Sequence, residues 1–144
     1  MNSDFYFGLE KIHRITSLQR FELYIHMVSL NGSTYNDRYD DFKISDEDSG
    51  YKLSLGKFSG TIIEDAMRYA ENIKFTTIDR DNDKYDNGNC GVDYKSGWWY
   101  EYCYNCNLNA PYGHNLNWWV KKKIELKEAK MLIRPKRSDE KVSN

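Results

Sequence analysis

The chain has few histidines and almost no net charge, and each shortage removes a class of function. Three histidines in 144 residues leave no histidine-rich metal site. A formal net charge of -1 gives no global field to draw nucleic acid or an anionic membrane. No apolar run approaches the ~20 residues that a transmembrane helix needs, so membrane insertion is not expected. The opening residues have neither a basic n-region nor an apolar h-region, so no signal peptide is visible. There is no Gly-rich phosphate loop, and no nucleophile, base and orienting group form a recognisable set, so an enzyme is not expected. No internal repeat or linker divides the chain. It reads as one globular domain, long enough to bury a real core.

Aromatic side chains, by contrast, are plentiful. They make up 15% of the residues, with Tyr 12 and Trp 4, against a mean hydropathy of -0.84. That mix suits a loop-rich domain with aromatic anchors. Residues 79–109 hold an acidic loop, all three cysteines, a Trp pair and several tyrosines, with no helix or strand period. Such density marks function carried on loops above a scaffold built elsewhere. Asp79, Asp81 and Asp83 alternate with Arg80 and Asn82. Calcium wants carboxylate and carbonyl oxygens together. Asp81 and Asp83 could supply carboxylates, and Tyr85 and Gly88 carbonyls, since Asn87-Gly88 is a turn signal. The loop is not an EF-hand, because Lys84 and Cys90 stand where that motif needs Gly and Glu. The plain alternative is a solvated acidic loop.

The cysteines admit three readings by chemistry alone. Cys90 and Cys103 could form a disulfide, leaving Cys106 free. Cys103 and Cys106 form a C-x-x-C, but no βαβ pattern surrounds it to suggest a redox site. Cys90, Cys103, Cys106 and His114 could hold zinc as a Cys3His set, which would make the chain an intracellular zinc module.

Around this segment the periodicities give an α+β class. Phe5 and Phe7 suggest a short strand, and Leu9, Ile12 and Ile15 one face of a short helix, with His13 a structural histidine beside it. Phe21, Leu23, Ile25 and Met27 alternate with polar partners as a half-buried strand. Asn31-Gly32 predicts a hairpin turn, and Asn31-Gly32-Ser33 is also a glycosylation sequon if the chain is secreted. Residues 34–45 return as a second strand, and Tyr51, Leu53 and Leu55 form a third. The turn at 46–50 reads as solvated. Residues 61–72 predict a helix with Ile62, Ile63, Ala66, Met67 and Ala70 facing the core. Trp118 and Trp119 predict core anchors, and Lys121, Lys122 and Lys123 a solvated hairpin. Met131 and Ile133 predict a last strand closed by Pro135, and 136–144 a disordered polar tail.

The motifs, taken in order, resemble those of the fibrinogen C-terminal (fibrinogen-related) domain of fibrinogen chains, ficolins, tachylectins, tenascins and angiopoietins. The matching pieces are Lys11-Ile12-His13, Arg20-Phe21-Glu22-Leu23, Leu55-Gly56, Phe58-Ser59-Gly60 and Asp65-Ala66. They continue with Asp79-Arg80-Asp81-Asn82-Asp83, Asn89-Cys90, Gly97-Trp98-Trp99, Cys103, Asn107-Leu108-Asn109, Asn117-Trp118 and Arg134-Pro135. The resemblance covers nearly the whole chain but only about the last two thirds of the family's domain, which suggests a fragment or a truncated gene model. It implies a twisted, mainly antiparallel sheet with short helices in 1–78, and calcium and recognition loops with a final strand in 79–135. Strands without their amino-terminal partners would leave a sheet edge unpaired.

By the same resemblance, Cys90 pairs with Cys103, and Asp81, Asp83, Tyr85 and Gly88 hold Ca2+. A ligand pocket of Tyr94, Tyr102, Cys103, Tyr104 and Tyr112 is implied, with the Tyr102–Cys103 peptide bond cis. Tyr104 stands where the family usually has histidine, and a third aromatic wall near 124–126 is missing. The implied function is calcium-dependent, extracellular, lectin-like recognition of acetylated sugars or other acetyl groups, of the kind used in innate immunity. A protein-interaction module of the angiopoietin or tenascin kind is the alternative. Oligomerisation through upstream segments is also implied.

Overall fold

The computed structural model of the chain describes residues 8–137. Helix α1 (Leu9–Leu18) packs Leu9 and Ile12 on the core and joins the sheet through His13, whose Nδ1 lies 2.9 Å from the Ile44 carbonyl. Strands β1 (Phe21–Ser29) and β2 (Thr34–Ile44) form the antiparallel hairpin that the alternating residues predict. Its turn is tied by Asn31, whose Oδ1 accepts from the Ser33 amide at 2.9 Å while Gly32 takes φ +89°. Two short strands, β3 (Leu53–Leu55) and β4 (Phe58–Gly60), both pair with β2. After the loops come β5 (Cys106–Asn107), β6 (Asn117–Trp119) and β7 (Lys123–Pro135). β7 runs back beside β1, giving the order β3-β2-β1-β7-β6-β5.

Leu23, Ile25 and Met27 on β1, and Tyr39, Phe42 and Ile44 on β2, are buried and form the centre of the core. The opposite face carries a clasped carboxylate. Glu22 is 5% exposed and lies 3.0 Å from Arg38 and 3.1 Å from Arg134. Burial pushes its pKa up, but Arg134, Tyr24 and Arg38 outweigh that and hold it below the usual glutamate range. Gly60 closes the sheet against β2. At φ +152°, any Cβ there would sit 2.6 Å from the Asn36 carbonyl, so only glycine fits.

Three expectations need correction. Residues 61–72 form no α-helix; bends lead into a single 3₁₀ turn, Met67–Ala70. Side-chain bonds replace the helical ladder here. Asp65 accepts from the Arg68 amide and from the Tyr39 hydroxyl, while the Arg68 guanidinium reaches Glu71 and the carbonyls of Leu55 and Gly56. Ile62, Ala66, Met67 and Ala70 are buried as predicted, but Ile63 is 92% exposed. Trp118 is buried, whereas Trp119 turns outward beside Lys123. The last strand begins at Lys123, well before Met131. The expected strand at Phe5 to Phe7 lies outside the described residues, as does most of the tail; Lys136 still bonds the Arg20 carbonyl.

Candidate functional site

Two tryptophans tie the carboxy-terminal half of the chain to segments flanking the sheet. Trp99 Nε1 donates to the Tyr51 carbonyl at 2.8 Å, and Trp118 Nε1 to the Glu64 carbonyl at 2.9 Å. Thr76 and Trp98 exchange a pair of backbone bonds. Trp98 and Trp99 are both buried, so they act as support for the loops and not as contact surface.

The acidic loop is a chain of side-chain-capped turns. Asp81 Oδ1 accepts from the Asp83 amide at 3.1 Å, and Asp83 Oδ1 from the Tyr85 amide at 2.8 Å. Asp83 Oδ2 accepts from the Cys90 amide at 2.8 Å, tying the acidic loop to the first cysteine. Asp79 is engaged elsewhere: the Thr77 hydroxyl holds its carboxyl below the usual range. The loop's own cations point away, Arg80 to Glu47 and Lys84 to Glu101. Among the described residues no cation pairs with Asp81 or Asp83, and no three His, Cys, Asp or Glu side chains gather as a metal cluster. Asp81 and Asp83 carry oxygen ligands of the kind a hard cation takes, with no cation of the described chain beside them. The Tyr85 carbonyl accepts from the Gly88 amide at 3.2 Å, which closes the turn there.

Helix α2 (Cys90–Asp93) begins at the disulfide. Asn89 caps it by accepting from the amides of Gly91 and Val92, and donates back to the Thr77 carbonyl. Cys90 is bonded to Cys103, with Cα atoms 5.4 Å apart. Cys106 is free and buried, and burial pushes its thiol pKa well up. The bond removes two of the four thiolate and imidazole ligands of the zinc reading, and the Cys103–Cys106 redox pair with it.

Of the predicted pocket residues, the structure brings some together and leaves one apart. Tyr94 and Tyr104 meet edge to face with centroids 4.8 Å apart, and both approach Tyr100. Burial, with Tyr104 adding to it, raises the Tyr94 pKa. Tyr104 is braced by Asn117, whose Nδ2 donates to its hydroxyl at 3.2 Å. Tyr102 is 74% exposed and Tyr112 70% exposed, and neither joins these ring contacts. Tyr102, Cys103 and Tyr104 line one wall of a pocket of about 140 Å3. Ala66, Tyr69 and Ala70, around the 3₁₀ turn, also line it, as do the buried Trp98 and Cys106. Neither Tyr94 nor Tyr112 lines it. The Tyr102–Cys103 bond is trans, correcting the cis expectation. The chain turns instead at Cys103, in the left-handed region at φ 64°. Among the described residues no protein acceptor takes the amides of Tyr102, Cys103 or Tyr104.

Two groups of residues went unnoticed in the sequence. Tyr100 is fully buried, bonded to Ser96 and Asn107, and burial pushes its pKa up to about 12. It belongs to the same tyrosine-rich run and could have been suspected from that. Ala66, Tyr69 and Ala70 come from a distant segment, and nothing in their own pattern separates a pocket wall from a core stripe.

A sheet that carries a disulfide-closed, aromatic-lined loop region is the architecture, and comparison with known proteins gives its class. The profile of "Fibrinogen beta and gamma chains, C-terminal globular domain" matches residues 1–136. The chain belongs to the fibrinogen C-terminal globular domain family, whose members are non-enzymatic binding modules. Human fibroleukin is 36% identical over 94% of this chain, and Gallus gallus tenascin-R 37% identical over 94%. The fibrinogen-like globe domain of human ANGPTL6 superposes with a TM-score of 0.78 at 31% identity, covering 91% of this chain and 64% of that domain. The chain spans 36% of fibroleukin and 10% of tenascin-R. These relatives are secreted, extracellular proteins. Domains of this family commonly bind calcium, and they bind peptide or protein ligands.

Proposed function

We propose that the chain is a secreted, calcium-dependent recognition domain that takes a small neutral group, an acetyl, into the pocket beside Cys103. The observation that carries this reading is the combination of unclaimed amides at Tyr102, Cys103 and Tyr104 with an aromatic pocket. The amides would bond a ligand carbonyl, and the rings would receive its methyl. At about 140 Å3 the pocket suits a substituent; whole drug-sized ligands occupy roughly 300–1,000 Å3. Acetylated sugars present such a group repeatedly, which would place the domain among the lectins of innate immunity.

Residues 1–135 would form this domain, with sheet and helix in 1–78, and in 79–135 the calcium and recognition loops with the final strand that returns beside β1. Asp81 and Asp83 by carboxylates, and Tyr85 and Gly88 by carbonyls, would hold the calcium. When bound, the ion supplies charge that fixes the acidic loop and no chemistry beyond that. Tyr94 acts from behind by fixing Tyr104, and Tyr112 extends the exposed aromatic surface outside the pocket.

Binding of N-acetylglucosamine and acetylated albumin at saturating calcium tests the reading. Tyr102→Ala alters only an exposed side chain and should weaken binding about tenfold while the fold stays intact; Tyr94→Ala should weaken it by loosening Tyr104. Undiminished binding in both, or no acetyl-dependent binding in wild type, favours the second reading, a protein-interaction module. The exposed Tyr69, Tyr102 and Tyr112 favour that reading, since tyrosines are enriched at protein interfaces.

A further inference from the structure

The tip of the β1–β2 hairpin carries Asn31-Gly32-Ser33, the single Asn-x-Ser/Thr sequence in the chain. All three residues are exposed. The Asn31 side chain is held by one end only. Its Oδ1 accepts from the Ser33 amide at 2.9 Å and from the Ser29 hydroxyl, which makes an Asx turn. Among the described residues no protein acceptor takes its Nδ2, and no protein group bonds the Ser33 hydroxyl. At Gly32 a Cβ would meet nothing within 4 Å, so the space above the tip is open. Leu30, the next residue back, is 54% exposed. Its amide donates to the Glu125 carbonyl at 3.1 Å, which fixes the tip beside the start of β7.

We propose that Asn31 carries an N-linked oligosaccharide. This rests on the secretion proposed above, because the sugar donor meets a chain only in the secretory pathway. The donor is an oligosaccharide joined through C1 of an N-acetylglucosamine to a lipid pyrophosphate. Asn31 Nδ2 bonds to that C1 while the C1–O bond to the pyrophosphate breaks. The lipid pyrophosphate leaves with the electron pair, and one Nδ2 proton passes to a base of the transferring enzyme. The product is a secondary amide that keeps its carbonyl oxygen. Both bonds of the Asx turn therefore survive, and the hydrogen lost is one that no protein group uses. The turn spans residues 29–33 alone, so it can form before the sheet does. A glycan is bulky and polar and belongs on a surface; here it would cover Leu30. No residue of the turn lines the pocket beside Cys103, so the glycan stands outside it.

Expression of the full chain behind a cleavable signal sequence in animal cells tests the assignment, read by the mass of the chain recovered from the lumen or the medium. The wild type should gain the mass of one oligosaccharide and lose it on treatment with peptide-N-glycosidase. Ser33→Ala should abolish the gain. It removes only the hydroxyl that the sequon requires and keeps both bonds to Asn31 Oδ1, so the hairpin stays intact. Ser33→Thr supplies a hydroxyl again and should keep the gain, and Asn31→Gln should lose it. A wild-type chain that reaches the lumen without a glycan overturns the proposal, and so does a gain that survives Ser33→Ala. Binding of acetylated albumin by the enzyme-treated chain is read separately, so a failure of the pocket and a failure of the sequon are told apart.

Discussion

In β1 and β2 the chain is held by backbone ladders and by apolar side chains taken wholly out of water. Between Asp79 and Asn117 there is hardly a ladder. Asp81, Asp83 and Asn89 bond amides in place of neighbouring strands, one disulfide closes the loop, and aromatic rings pack on one another. The first kind of structure resists local opening because every contact is shared among several strands. The second is a series of single ties, each of which can be removed alone. That difference suits recognition: a rigid sheet carries loops whose shape depends on a few named groups.

The comparison can be broken from either end. The largest effect should come from the sheet. Ile25→Ala removes a 1%-exposed side chain at its centre and should cost about 2–5 kcal/mol, lowering the denaturant midpoint of the whole chain. Removing the disulfide by Cys90→Ser with Cys103→Ser should cost about 3 kcal/mol, the scale for a closed loop of this size. Its mark should be local: hydrogen exchange should speed up in 79–117 and stay slow in β1 and β2. Asn89→Ala removes a helix cap and should cost about 1 kcal/mol in thermal unfolding, again confined to the loops.

Asp81→Asn sharpens the comparison further. It keeps the oxygen that accepts the Asp83 amide but removes a charge, so stability without calcium should change by less than about 0.5 kcal/mol. The wild-type gain on adding calcium, about 2.7 kcal/mol at a hundredfold excess over Kd, should disappear in this variant. Equal calcium stabilisation of both would remove Asp81 from the site. The smallest effect should come from acid. The folded pKa of Glu22 lies below its unfolded value, so its stabilisation is present above the ordinary glutamate range and is lost as pH falls through the folded value. Glu22→Gln should flatten the acid limb of a stability–pH curve without touching the loops.

How much of this was legible depended on which force was acting. Alternation is a local signal, so β1 and β2 could be read directly from Phe21 to Met27 and from the Asn31-Gly32 turn. The disulfide and the acidic loop were visible as residues whose partners came only from the family resemblance. Residues 61–72 misled because their apolar spacing is helical while Asp65 accepts from Tyr39 on β2 and Arg68 donates to the Leu55 carbonyl on β3. The pocket wall of Ala66, Tyr69 and Ala70 was invisible because its meaning arises only where that turn meets Tyr102 to Asn105. The backbone at Cys103 was out of reach for the same reason: its conformation is decided by what surrounds it.

Trp98, Trp99 and Trp118 all lie where the loops meet the sheet, each withdrawn from water. The molecule therefore carries its own optical reporter. Indole emission shifts to longer wavelength as its surroundings become wet, and three of the four tryptophans here become wet together only when loops and sheet part. Trp119, already half in water, supplies a steady background. A red shift that runs ahead of the loss of sheet circular dichroism would show the loops lifting off an intact sheet; coincident signals would show the two coming apart as one body.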